Sequence, residues 1–190
     1  MRALLESGEK GIRAALAAAH EGREALFGAL RAMPAPIYVT DHTGVVIFFN
    51  EPCIGFAGRT PVIGKDLWCV TWKLFTDEGK YLPHEECPMA AALRTQQKVR
   101  GITAIAERPD GTRVRFLPFP TPWFGPSGEL AGAINLLIDV TDARQIEELR
   151  TQADRCRRLA REIGHQHTVD VLATMADEYD AKASLLEQRH

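Results

Sequence analysis

Cysteine is scarce in these 190 residues, and the four that occur, Cys53, Cys69, Cys87 and Cys156, form no C-x-x-C pair. Their dispersal excludes a zinc knuckle and a dithiol redox motif, and predicts reduced, mostly buried thiols. Long apolar runs are missing as well. The opening MRALLESGEKGIRAALAAAHEG interrupts every apolar stretch with a charge. Neither a secretory leader nor a membrane span of about 20 residues is expected, which predicts a cytoplasmic protein without a membrane partner. Charge of one sign is also lacking: 23 Lys and Arg face 25 Asp and Glu, a formal net charge of -2. A nucleic-acid partner is therefore not expected, with Arg155, Arg157, Arg158 and Arg161 forming only a local basic patch. Finally, the chain has no phosphate-cradling Gly-rich loop, no H-E-x-x-H pair, no G-x-S-x-G elbow and no nucleotide-binding module of the histidine-kinase kind. No enzymatic activity is expected.

What is present reads as one α+β domain between helices. From Gly11 to Met33 the positions Ile12, Leu16, Ala19, Leu26, Leu30 and Met33 recur at steps of three and four, which predicts one helix with an apolar seam ended by Pro34 and Pro36. Ile37–Asn50 holds two β-branched and aromatic runs around Asp41-His42-Thr43-Gly44, a hairpin pattern. Short helices are predicted at Pro52–Ala57 and Leu67–Phe75, and a better one at about Glu86–Thr95. Strands follow at Val99–Glu107 and Thr112–Pro120, joined through Asp110-Gly111, then a last strand at Glu129–Asp139. Five antiparallel strands with helices on one face are the expected core. Beyond Thr141, Ile146, Leu149, Ala153, Cys156, Ala160 and Ile163 form a second seam. Gly164–Thr168 breaks it, and Leu172, Met175, Tyr179 and Leu186 mark a final amphipathic helix, so residues 143–188 predict an antiparallel helical hairpin. The resulting division is 1–33, 34–142 and 143–190.

Three stretches carry a resemblance. Met33–Asp41 with Gly44 and Asn50 forms an opening hairpin; Leu82-Pro83-His84-Glu85-Glu86-Cys87-Pro88-Met89-Ala90 pairs with Glu107-Arg108-Pro109-Asp110-Gly111-Thr112; and Asp139-Val140-Thr141 ends the last strand. In order and spacing they resemble the PAS family of bacterial sensory domains, over about Ala29–Asp142. The resemblance implies a PAS fold and a signalling module that binds a small ligand or a partner protein. It also implies that Asp139 and Thr141 pass its state to the following helix. The two seams predict a homodimer, with Leu16, Leu26, Leu30, Ile146 and Leu149 as contact candidates. With no output domain in these residues, the downstream partner is expected to be a separate signalling protein. The alternative is an interaction module that senses nothing.

Candidate ligand contacts are Trp68, Trp72 and Phe75, as a cavity wall or as plain core, and Asn135, as a ligand donor or a partner for neighbouring backbone. Small residues Ala131, Gly132 and Ala133 leave room beside them. His84 lies where haem-binding PAS domains place an axial ligand and Cys87-Pro88 resembles some haem-binding segments, so a haem redox or gas sensor is a third, weaker reading. Light-sensing flavin relatives need an Asn-Cys-Arg-type motif that Cys53, Cys69 and Cys87 lack, and flavin is not expected. His165 and His167 with Asp170 read as turn polarity rather than a metal site, and no metal is expected.

Overall fold

Asp41 closes the first turn. Its Oδ1 accepts the Thr43 N–H at 2.8 Å, the Thr43 hydroxyl at 2.7 Å and the Val45 N–H at 3.0 Å, so that β1 (Ile37–Asp41) folds back into β2 (Val46–Phe49). In this computed structural model, which describes residues 2–18, 22–162 and 166–187, without the side chains of residues 2–5, 7, 18, 143, 144, 166 and 167, the same device recurs. Between β5 (Ala104–Glu107) and β6 (Arg113–Phe124), Asp110 Oδ1 accepts the N–H and hydroxyl of Thr112 at 2.9 and 2.7 Å. With β7 (Leu130–Asp139) these strands form the expected antiparallel core.

The sheet has seven strands rather than five, in the order β2-β1-β7-β6-β5-β3-β4. The additions are β3 (Lys73–Phe75) and β4 (Tyr81–Leu82), where a helix was expected to reach Phe75. Gly79, at φ 81°, allows the tight turn between them, and Thr76 and Lys80 hydrogen-bond across it, so Lys73–Phe75 enters the sheet instead of coiling. Helix α3 (Pro52–Ala57) forms as expected. Helix α4 (Pro88–Thr95) starts two residues later than expected, after a 3-10 turn at His84–Glu86, because Pro88 takes the first helical position where no N–H is required.

Tyr38, Val114, Phe116, Ala133 and Leu137 point from the sheet into a core with Phe56 of α3 and Met89 and Leu93 of α4. The opposite face is covered too. The expected single N-terminal helix is two, α1 (Arg2–Ala18) and α2 (Arg23–Arg31), because Gly22 adopts φ 119°, a conformation no continuous helix contains. A Cβ on Gly8 would lie 2.4 Å from Leu136 Cδ2, which shows how closely α1 lies on β7, and Phe27 of α2 stacks on Phe48 at 4.6 Å. The seam expected to meet a second copy is thus used within the chain: Leu26 and Leu30 are fully buried and Leu16 is half-buried. Ala19 of that seam lies outside the described residues.

β6 continues past β5 carrying Pro118, Pro120 and Pro122. Alternate residues of a strand address opposite neighbours, so the three share one side. Pro120 O accepts from Val99 N and Arg100, which marks that side as the one facing away from β7. Proline there removes donors from an edge that β5 does not reach.

Two compact units result, Met1–Asp139 and Val140–His190. The second is an antiparallel hairpin of α5 (Thr141–Glu162) and α6 (Gln166–Glu187) closed on Ala153, Cys156 and Ala176. Arg150 pairs with Glu187 at 2.5 Å, and Arg157 pairs with Asp180. Ile146 and Leu149 are half-buried within it. Ile163, His165 and the side chain of His167 lie outside the described residues. Among the described residues, no helix is long and apolar enough to cross a membrane.

Candidate functional site

A buried polar link crosses the middle of the sheet. The cross-strand register sets Tyr38 of β1 and Pro120 of β6 on either side of Asn135 of β7. Asn135 Nδ2 donates to the Tyr38 hydroxyl at 3.0 Å, and its Oδ1 accepts the Phe119 N–H at 2.9 Å. The Tyr38 hydroxyl in turn donates to the Trp68 carbonyl at 2.9 Å. Asn135 therefore satisfies its neighbours, the structural one of its two readings. Tyr38 is 0% exposed and Asn135 2%, so each of these bonds stands in place of water.

Trp68 is the far end of the link and an unusual residue. Its φ of 64° lies in the left-handed region, uncommon for a bulky side chain, and its ring covers Gly44, where a Cβ would come within 2.3 Å. Its carbonyl also faces Cys87 Sγ at 3.9 Å, while Cys69 Sγ meets Thr71 Oγ1 at 3.1 Å. Burial pushes the Tyr38 phenol well above its ordinary value and the Cys87 thiol up to about 12. All these groups stay protonated at neutral pH, so Tyr38 remains a donor and the cluster carries no charge.

The expected aromatic wall is not assembled. Trp68 is half-buried over the hairpin turn, Trp72 is 54% exposed, and Phe75 lies against Tyr81 at 6.0 Å and under Arg113 at 4.4 Å. The room that Gly132 was expected to leave is taken by the sheet itself, since a Cβ there would lie 2.0 Å from Thr40 O. Between sheet and α3 and α4 the volume is filled by Phe56, Met89, Leu93 and Phe116. These residues do not fit haem. His84 is half-buried near Arg59 and Asp66, themselves ion-paired at 2.6 Å, and its buried Nε2 meets no hydrogen-bond partner among the described residues. Burial first, then Arg59, hold its imidazole below the ordinary value. Cys53, Cys69 and Cys87 are all buried, and burial pushes the Cys53 thiol up to about 12.

The motifs prove to be joints. Arg108 of the Arg-Pro-Asp-Gly turn donates from Nε to the Phe56 carbonyl at 3.0 Å, tying the β5–β6 turn to the end of α3. Arg94 of α4 donates to the Glu85 carbonyl at 2.6 Å, holding the Pro83–Cys87 segment on its helix. Asn50, which marks the end of the opening hairpin, and the half-buried Arg100, which patterning did not single out, do similar work. Asn50, at the end of β2, accepts the Ile37 N–H at 2.9 Å and donates to the Met33 and Ala35 carbonyls at 3.0 and 2.8 Å. Arg100 lies over the Phe119 ring at 4.8 Å, donates to Pro120 O and Thr121 Oγ1 at 2.9 Å each, and reaches Glu9 of α1 at 3.4 Å. Asp139 ends β7, exposed, and Thr141 begins α5, half-buried, with Val140 alone between them.

One family's sequence model, described as the PAS fold, matches residues 30–145. No curated protein matches the chain. Among solved structures, a LOV protein of Rhodobacter sphaeroides is similar, at 15% identity over 96% of this chain and 99% of that one, with a TM-score of 0.46. So are the domain of an HTR-like protein from Haloarcula marismortui (18%, 61% and 89%, 0.42) and the LOV domain of a blue-light activated histidine kinase from Erythrobacter litoralis (18%, 56% and 96%, 0.43).

Proposed function

We propose, from the premise that this chain belongs to the PAS family, that it is a sensory signalling module in which the segment around Trp68 reports to β7 and so to the helix that follows. One observation supports this most: the buried link from Trp68 O through Tyr38 and Asn135 to Phe119 N runs from the cap side to the strand that ends one residue before α5. A ligand or partner protein that binds one position of the Trp68 segment better than another shifts the equilibrium by that difference in affinity, and β7 feels it through Asn135. The module is cytoplasmic, catalyses nothing and hands its state to a separate signalling protein. It acts as a homodimer, through α5 and α6 rather than through Leu26 and Leu30, with Val171, Met175 and Leu185 exposed on α6 for that purpose.

The filled core favours a second reading, an interaction module that senses nothing. Hydrogen exchange separates the two. In the sensory reading Tyr38→Phe raises exchange of the amides of residues 137–146 by about tenfold while α6 is unchanged. A change confined to residues 37–39 and 67–69 refutes the transmission and leaves the interaction module.

A further inference from the structure

We propose that the groove beside α4 binds a small amphiphilic cation, an aryl or alkyl ammonium compound. The groove is open to solvent and offers about 430 Å³, within the size range of small-molecule sites. Leu82 of β4, Pro88 and Ala91 of α4 and Ile102 of the loop before β5 line it, together with the carboxylates of Asp77, Glu78 and Glu86. Ile102 is 50% exposed, so an apolar body laid along it removes surface that the fold itself leaves in water.

The sign of the charge follows from these carboxylates. Arg115 pairs with Asp77 at 3.1 Å, whereas Glu78 and Glu86 are exposed and line the same groove. Two carboxylates at an apolar groove attract an ammonium group and repel a carboxylate, and they sharpen selection more than affinity because exposed ion pairs are individually weak. The apolar body must therefore supply most of the binding and the carboxylates the choice of sign. This groove is separate from the Trp68–Tyr38–Asn135 link, and the binding stands or falls independently of the transmission described above.

A matched pair of probes tests it. In an amide-shift titration of the full chain, 4-phenylbutylamine is expected to saturate with a dissociation constant below about 1 mM. Its shifts should centre on Leu82, Ala91 and Gly101–Thr103, and the affinity should fall as salt is added. The same skeleton ending in a carboxylate, 4-phenylbutyrate, should bind at least about fivefold more weakly. Glu78→Gln and Glu86→Gln, both at exposed positions that leave folding intact, should each weaken the amine by about two- to fivefold and leave the acid unchanged or tighter. Equal binding of the two probes, shifts centred away from the groove, or an amine affinity indifferent to both substitutions overturns the proposal.

Discussion

Removing the single oxygen of Tyr38 tests the link at its centre. Tyr38→Phe keeps the ring in the core and deletes one donor and one acceptor, the bonds to Trp68 O at 2.9 Å and from Asn135 Nδ2 at 3.0 Å. Each intramolecular hydrogen bond is worth about 0.5–1.5 kcal/mol net, and a buried group left without a partner costs about 1–3 kcal/mol. Trp68 O keeps Cys87 Sγ at 3.9 Å, and Asn135 keeps the Phe119 N–H on its Oδ1 at 2.9 Å but is left with a buried Nδ2 that has lost its acceptor. The loss is expected near 2 kcal/mol. With a urea slope of about 2 kcal/mol per molar, the midpoint followed by tryptophan fluorescence falls by about 1 M. Asn135→Leu alone should cost about as much, by removing the donor to the Tyr38 hydroxyl and leaving the buried Phe119 N–H without its side-chain acceptor. The double variant should lose less than the sum by about 1 kcal/mol or more, because neither change then abandons a partner the other still holds. A midpoint shift under about 0.2 M for Tyr38→Phe, or strict additivity of the two changes, refutes the link as an energetic unit.

Two further outcomes concern titration. His84 has its pKa depressed by burial and by Arg59, so it favours the neutral form in the fold. The stability this contributes is present above the unfolded value of about 6.5 and is lost as pH falls through the lower folded value. Denaturation midpoints should therefore drop on acidification below about pH 6.5, and His84→Gln should flatten that slope; an unaltered slope refutes the assignment. The Cys53 and Cys87 thiols are pushed up to about 12 by burial, the opposite sign. Their contribution is intact below the unfolded value of about 8.5 and declines as pH rises through about 12. At about pH 8 alkylation of either thiol should follow the opening rate of the domain, and immediate labelling of the native protein would contradict the burial.

Local chemistry made much of this architecture readable from the chain alone. The Asp41 and Asp110 turns, the stop at Pro34 and Pro36, and the three-four spacing of Ala153 and Cys156 each depend on neighbours within a few residues. The residue composition between Leu67 and Phe75 suits a buried strand or a short helix equally, and only pairing with β5 decided it. Likewise the seam at Leu26 and Leu30 requires some apolar surface to cover it, and periodicity is indifferent to whether that surface is a second copy or the chain's own sheet.

The candidate site divides the same way. Asn135 stood out as an amide within an apolar strand, and patterning left its role open between ligand and backbone. Tyr38 read as one more strand aromatic, because its partner Trp68 is 30 residues away and its partner Asn135 is 97. By itself the sequence determined the five core strands, the Asp41 and Asp110 turns and the helix stop at Pro34 and Pro36, since backbone conformation there answers to adjacent side chains. The tertiary structure alone decided which face each seam covers, that the space under α3 and α4 is filled, and that one hydroxyl joins two strands and the cap side, because those depend on distances between residues that the chain order does not encode.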